Sequence, residues 1–248
     1  MRSLFTIRHS SLESRVVSPH NYGTMNKTIQ VKICGLTNLE DATVAADGGA
    51  DYLGFILYPP SKRAVTAETV QEITAVLRQR PNCPKLVGVF VNEEIDVMLK
   101  VLADCQLDFA QLHGSEVPSL INDPNSPLHG RSFRALRPQS MMEAEAEAEW
   151  YIAEAPNQMP TLLMDAYHPE LPGGTGDLSD WAIGKHIVTM TNGLLLAGGL
   201  TPDNVAQAIR EVQPYGVDVA SGVEASPGKK DHTAVRAFII HAKEATAT

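Results

Sequence analysis

Cysteine is scarce in this chain: Cys34, Cys83 and Cys105 are the three thiols among 248 residues. An odd number of thiols, in a chain large enough to bury a core of its own, argues against a disulfide framework and for a reducing compartment, read here as the cytoplasm. Long apolar runs are also missing, and none approaches the roughly 20 residues that a membrane-spanning helix needs. Basic charge is in deficit, with 20 Lys and Arg against 29 Asp and Glu and a formal net charge of −9. No basic stripe offsets it, which argues against nucleic acid as a partner. A small anionic substrate stays open if cations gather at one mouth of the fold. No metal-ligand spacing is present. Gly173-Gly174-Thr175-Gly176 does not open a long helix after a first strand, so it is not a dinucleotide turn. No cofactor and no metal are inferred.

What is present is the composition of a globular protein, 44% hydrophobic and 20% charged. From Thr28 onward, apolar strands alternate with helical patterns. Strands are expected near 30–34, 52–57, 85–91, 108–112, 131–136, 161–165, 194–197 and 217–220. Helices are expected at 38–48, 67–79, 93–103, 115–122, 140–154, a short one near 179–184, then 202–211 and 231–245. Asn38 and Asp231 suit the N-cap positions of the first and last of these. Met142–Glu149 alternates Glu and Ala and reads as a solvated helix on propensity. Eight consecutive βα units and a length near 250 residues predict one closed α/β barrel of eight parallel strands with outer helices. Residues 25–248 are expected to form that barrel as the working domain. Residues 1–24 carry Arg2, Arg8 and Arg15 against Glu13, with five serines and no periodicity. They read as a disordered or dispensable extension, with Met25 as an alternative start; a weak transit peptide is the other reading.

In such a barrel the chemistry sits at the C-terminal ends of the strands. Strand one, Val31-Lys32-Ile33, ends at Cys34, and Gly35 lets the chain turn there. Strand two is followed by Ser61-Lys62-Arg63. Strand four ends Gln111-Leu112-His113-Gly114, and strand six ends at Asp165. Strand seven ends Leu196-Ala197-Gly198-Gly199-Leu200, and strand eight ends Asp218-Val219-Ala220-Ser221-Gly222. Gly198, Gly199, Ser221 and Gly222 fit a phosphate grip, because glycine turns at the seventh and eighth strand ends let backbone N–H groups approach an anion. Cys34 is either a small buried hydrophobe or a thiolate base facing the acid Asp165. In the second reading, the phosphate-site amides or Arg63 would supply the positive potential that favours the thiolate. Arg63 is either a solvated loop charge or a bidentate grip on a substrate carboxylate. His113 reads as a packed or hydrogen-bonding residue, since nothing marks it as part of a triad. The candidate catalytic pair is thus Cys34 and Asp165. The candidate binding set is Arg63, Gln111, His113, Gly198, Gly199, Asp218, Ser221 and Gly222.

These strand ends, with the Gly174-Thr175-Gly176 loop and Ser221-Gly222-Val223-Glu224, resemble phosphoribosylanthranilate isomerase of tryptophan biosynthesis, in order, from about Thr28 to Ala242. The resemblance implies a TIM barrel that converts N-(5-phosphoribosyl)anthranilate to 1-(2-carboxyphenylamino)-1-deoxyribulose 5-phosphate by an Amadori rearrangement, without cofactor. It implies Cys34 as general base, Asp165 as general acid, Arg63 on the anthranilate carboxylate and the glycine-rich ends on phosphate. The implied partner is a small phosphorylated substrate, and the implied assembly is a monomer or homodimer. Ala220 departs from the family's small polar residue, and the aromatic usual two positions before Trp181 is missing. A histidine-pathway isomerase would carry an aspartate where Cys34 stands. A non-catalytic phosphosugar-binding barrel would keep the glycines and lose the acid and base.

Overall fold

The computed structural model describes residues 28–152, 160–165 and 180–245. The extension at 1–24 and the glycine-rich stretch at 172–176 lie outside the described residues. Eight parallel strands close into a barrel in sequence order. They are β1 (Gln30–Ile33), β2 (Tyr52–Ile56), β3 (Lys85–Phe90), β4 (Phe109–Leu112), β5 (Ser132–Leu136), β6 (Leu162–Met164), β7 (Leu194–Leu196) and β8 (Gly216–Val219). The helices between and after them are α1 (Leu39–Asp47), α2 (Ala67–Leu77), α3 (Ile95–Asp104), α4 (Ser119–Asn122), α5 (Met141–Tyr151), α6 (Trp181–Ile187), α7 (Val205–Val212) and α8 (His232–Glu244). No described helix is long and apolar enough to cross a membrane.

The expected caps are in place. Asn38 accepts a hydrogen bond from the Asp41 amide, and Asp231 accepts from the amides of Thr233 and Ala234. Each satisfies amides that the first helical turn leaves without a partner. The Glu-Ala helix α5 is less solvated than its sequence suggests, because Ala144 and Ala148 are buried along one edge. The sixth helix starts later than expected and runs on to Ile187, because Asp180 caps it by accepting from the Ala182 and Ile183 amides. One feature is absent from the sequence reading. After β8 the chain makes a single 3-10 turn (Ser221–Val223) and a small antiparallel hairpin, β9 (Glu224–Ser226) with β10 (Lys229–Lys230). Strands of two or three residues carry too little pattern to be read from composition.

Strand alternation divides the core in two. Val31 and Ile33, Leu53 and Phe55, Leu194 and Leu196, and Val217 and Val219 point outward and join the helices in the larger apolar layer. Tyr52, Val87, Phe133, Leu163 and Leu195 point inward and fill the barrel floor, with Phe109 and Tyr215 against them. Above this floor the inward positions turn polar. The barrel closes where β1 meets β8, with Gln30 opposite Gly216, Val31 opposite Val217 and Lys32 opposite Asp218.

Gly216 is needed for space at that seam. A Cβ there would come within 2.6 Å of the Gln30 carbonyl oxygen and 2.7 Å of Leu195 Cδ2. Gly216→Ala should therefore destabilise the fold by about 1–3 kcal/mol, the usual cost of overpacking. Thermal unfolding should show it as a midpoint lowered by about 2–4 °C per kcal/mol. An unchanged midpoint would mean that the seam has slack.

Candidate active site

Cys34 follows β1 on the same inward parity as Lys32. Its amide donates to the Val219 carbonyl at 2.9 Å, which fixes it at the seam, and the residue is 5% exposed. Gly35 turns the chain at φ +71°, and a Cβ there would strike Arg63 Cδ at 2.7 Å. Beside the thiol, Gly54 of β2 lets the Cys34 sulfur and the Lys32 stem pack directly against its backbone. A Cβ at that point would lie 2.7 Å from Cys34 Sγ and 3.2 Å from Lys32 Cε. Lys32 is fully buried, and its Nζ donates to Asp218 Oδ1 at 3.0 Å. Burial pushes the Cys34 thiol above its ordinary pKa, and the Lys32 ammonium is the chief force against that rise. Burial also works against the Lys32 charge, but Asp218 and then Cys34 outweigh it, so Lys32 holds its proton above the ordinary lysine range.

Across the barrel mouth, β4 and the ends of β5 and β6 supply Gln111, His113, Arg137 and Asp165. Gln111 Nε2 and His113 Nδ1 are 3.1 Å apart. With the amide oriented this way, Gln111 donates to Nδ1 and the histidine proton sits on Nε2. That nitrogen faces Asp165 Oδ2 at 3.8 Å, too far for a hydrogen bond. Burial, followed by the charges of Arg137, Lys32 and Arg134, drives the His113 pKa down to about 3, so the ring is neutral near pH 7. His113 Nε2 and Gln111 Oε1 have no hydrogen-bond partner among the described residues although both are buried. Such atoms call for a ligand or ordered water, since a buried polar group left unpaired costs free energy.

The glycine-rich ends of β7 and β8 meet next to the seam. Gly198 and Gly199 take φ of +87° and +63°, the left-handed region that glycine enters without strain. Asn204 ties this turn by accepting from the Thr201 amide at 2.8 Å and donating to the Gly199 carbonyl at 3.0 Å. Ser221 and Gly222 form the 3-10 turn after β8. Gly222 packs so closely on the β7 loop that a Cβ would lie 1.8 Å from the Leu200 carbonyl oxygen.

The structure sets Arg63 and Asp218 in ion pairs. Arg63 is not a solvated loop charge. It is 9% exposed, and its Nε and Nη2 meet Glu224 Oε1 and Oε2 at 2.7 and 2.8 Å. Nor is it the cation foremost at the thiol, a part that falls to Lys32. Asp218, expected among the binding residues, has its Oδ1 paired with Lys32. The sequence reading also passed over Glu224 and Lys230. Glu224 accepts from Lys230 Nζ at 3.2 Å as well as from Arg63. Burial would raise its pKa, but the two cations hold it below the usual carboxylate range. Lys230 also donates to the Ala220 carbonyl at 2.9 Å; burial lowers its pKa against the pull of Glu224. Lys32 had a legible signal, since it lies two residues before Cys34 and so shares its face. Glu224 stood in the Ser221-Gly222-Val223-Glu224 motif without an assigned role, and Lys230 had no signal, since the roles of both depend on the hairpin.

A family model for N-(5'-phosphoribosyl)anthranilate isomerase matches residues 31–241. The curated isomerase of Trichlorobacter lovleyi is 43% identical over 217 residues, 88% of this chain and 99% of that protein. That of Pelobacter propionicus is 44% identical over 216 residues, 87% of this chain and 96% of that protein. The crystal structure of the Thermotoga maritima isomerase superposes with a TM-score of 0.76 at 38% identity, covering 87% of this chain and 99% of that one. A phosphoribosyl anthranilate isomerase solved with reduced 1-(o-carboxyphenylamino)-1-deoxyribulose 5-phosphate gives 0.73 at 36% identity, with the same coverage. By a model spanning most of its length and by relatives matched nearly end to end, this chain belongs to the N-(5'-phosphoribosyl)anthranilate isomerase family.

Proposed function

We propose that this chain isomerises N-(5'-phosphoribosyl)anthranilate in tryptophan biosynthesis, with Cys34 as general base and Asp165 as general acid. The observation that carries the reading is that both side chains lie on the inward face at the barrel mouth, at the ends of β1 and β6, with the glycine turns of β7 and β8 between them in the barrel order. Asp165 protonates the furanose ring oxygen. The C1–O bond then breaks as the anthranilate nitrogen lone pair forms a C1=N bond. The Cys34 thiolate removes the C2 proton, the C2–H electrons form C1=C2, and the C=N electrons return to nitrogen. Tautomerisation of the resulting enol moves a proton to C1 and leaves a ketone at C2. C1 is reduced and C2 oxidised within one molecule, so no external redox partner is needed.

The ends of β7 and β8 hold the phosphate through backbone amides of Gly198, Gly199, Ser221 and Gly222. Arg63 meets the aromatic carboxylate, with Glu224 as the brace that keeps its guanidinium in place. Gln111 and His113 offer the substrate a carbonyl oxygen and a ring N–H that have no protein partner among the described residues. Asp218 contributes mainly through Lys32. A relative from Thermotoga maritima is described as dimeric. Three free cysteines support a reducing location for this chain.

Cys34→Ser keeps the shape of the base but makes it far weaker, and Asp165→Asn keeps the shape of the acid but has no acidic proton to give. Each should lower kcat by at least about a hundredfold, the low end for general acid–base catalysis. A product analogue should still bind both variants in calorimetry. Wild-type-like turnover in Cys34→Ser would return the thiol to a packing role.

Arg63→Ala should raise KM for the substrate strongly. It should also cost about 2–3 kcal/mol of stability, because Glu224 loses two charge-assisted hydrogen bonds and, among the described residues, keeps Lys230 and the Gly228 amide. Steady-state kinetics and denaturant unfolding separate the two effects. Arg63→Lys should restore only part of the affinity, because an ammonium cannot reproduce the planar fork. An unchanged KM in Arg63→Ala would remove Arg63 from substrate binding.

A further inference from the structure

The inward residues of the barrel floor are apolar or aromatic, and directly above them lies a buried ion pair, Lys32 with Asp218. The Lys32 side chain is 0% exposed and that of Asp218 is 9% exposed. Taking two charges out of water costs several kcal/mol each, and a well-packed hydrophobic pair in such a place is often as stable or more so. Barrel closure does not need the pair, since the β1–β8 backbone ladder runs through Gln30, Val31 and Ile33 as well. The location of the pair is informative. Lys32 is two residues from Cys34 on the same strand face, and its Cε and the Cys34 sulfur both pack against Gly54, 3.2 and 2.7 Å from where a Cβ there would lie. We infer that Lys32 is a positioning residue for the reaction: its buried ammonium keeps the Cys34 thiolate accessible as a base, and Asp218 moderates how much of that charge the sulfur feels. This inference rests on the reading of Cys34 as the general base.

The other charged groups around the thiol are already balanced or set across the mouth. Lys230 and Arg63 approach from β10 and the loop after β2, and both are drawn to Glu224. Asp165 and Arg137 stand on the far side, at the ends of β6 and β5, beside neutral His113 of β4. Lys32 is the group whose charge opposes the burial of the thiol most strongly, while Asp218 acts in the opposite sense. A purely structural pair would leave the ionisation of Cys34 where it is. An electrostatic pair makes two variants move it in opposite directions.

The test measures the Cys34 ionisation directly, from thiolate ultraviolet absorbance against pH, as the difference between each protein and its Cys34→Ser counterpart. The pH profile of kcat/KM is recorded in parallel, since it reports the ionisations of the free enzyme. Asp218→Asn leaves Lys32 charged and should shift the thiol transition to lower pH. The double variant Lys32→Met with Asp218→Asn removes both charges without stranding either, and should shift it to higher pH by about one to two units, less than the roughly 3 units that one charge about 4 Å away would give at an effective dielectric near 20, because Asp218 already offsets part of Lys32. The thiol-dependent limb of kcat/KM should follow both shifts. If Asp218→Asn fails to fold, the double variant decides alone against wild type. A transition unmoved in the double variant, or moved to lower pH, would overturn the role given to Lys32. If the thiol transition moves as expected while the kcat/KM limb stays fixed, Lys32 controls the thiol but Cys34 is not the base, so the two readings fail separately.

Discussion

The seam between β1 and β8 is the constraint on which the rest of the molecule depends. Parallel strands are paired by registered backbone hydrogen bonds, and closing eight of them leaves no edge. At this seam the register sets Lys32 opposite Asp218 and carries the Cys34 amide to the Val219 carbonyl. The same register brings the loop after β1 against the loop after β2 and against the chain after β8, where Thr37 meets Gly228, 191 positions away in sequence. A slip of one residue would turn Lys32 and Cys34 into the helix layer and Val31 and Ile33 into the barrel. The interior of the catalytic mouth is therefore a consequence of how the sheet closes.

Around the seam, charge is spent on holding loops in place. Asp41 in α1 accepts from the Lys230 amide and from Asn38 Nδ2, both at 2.9 Å, and pairs with His232 Nε2 at 2.8 Å. Thr37 donates to the Gly228 carbonyl at the tip of the hairpin. Glu224 at the hairpin's base binds Arg63 and Lys230. The hairpin of β9 and β10 thus clasps the first, second and eighth βα loops together. Loops carry function only when a rigid scaffold presents them, and here the scaffold extends into the loops through buried carboxylates that accept from backbone and cation alike.

The two sides of the mouth differ in electrostatic character. On the seam side, buried cations surround a thiol, each moderated by a carboxylate. On the β4 to β6 side, a neutral histidine and a glutamine leave polar atoms without partners among the described residues. A buried site with carboxylate-paired cations at one wall, and neutral hydrogen-bonding groups beside Arg137 and Asp165 at the other, suits a polar, anionic substrate. The overall charge of −9 does not predict this, because the local field is set by a few buried groups and not by the sum over the surface.

The eight βα units, their caps at Asn38 and Asp231, and the family resemblance were legible in the sequence, because each rests on local chemistry: apolar period, N-cap oxygens, glycine turns and strand-end motifs. The strand-end location of Cys34 and Asp165 was legible for the same reason. The contacts of Arg63, Asp218, Glu224 and Lys230 were not. Arg63 and Glu224 are 161 residues apart, and Lys32 and Asp218 are 186 apart. Alternation alone could put Lys32 on the same face as Cys34, but only closure of the sheet with one register could place Asp218 beside it. Sequence by itself determined which side chains stand at the strand ends and the kind of chemistry they carry. Tertiary structure decided which of them are paired, buried or left without a partner, because those properties come from distances between strands that the chain brings together only when the barrel closes.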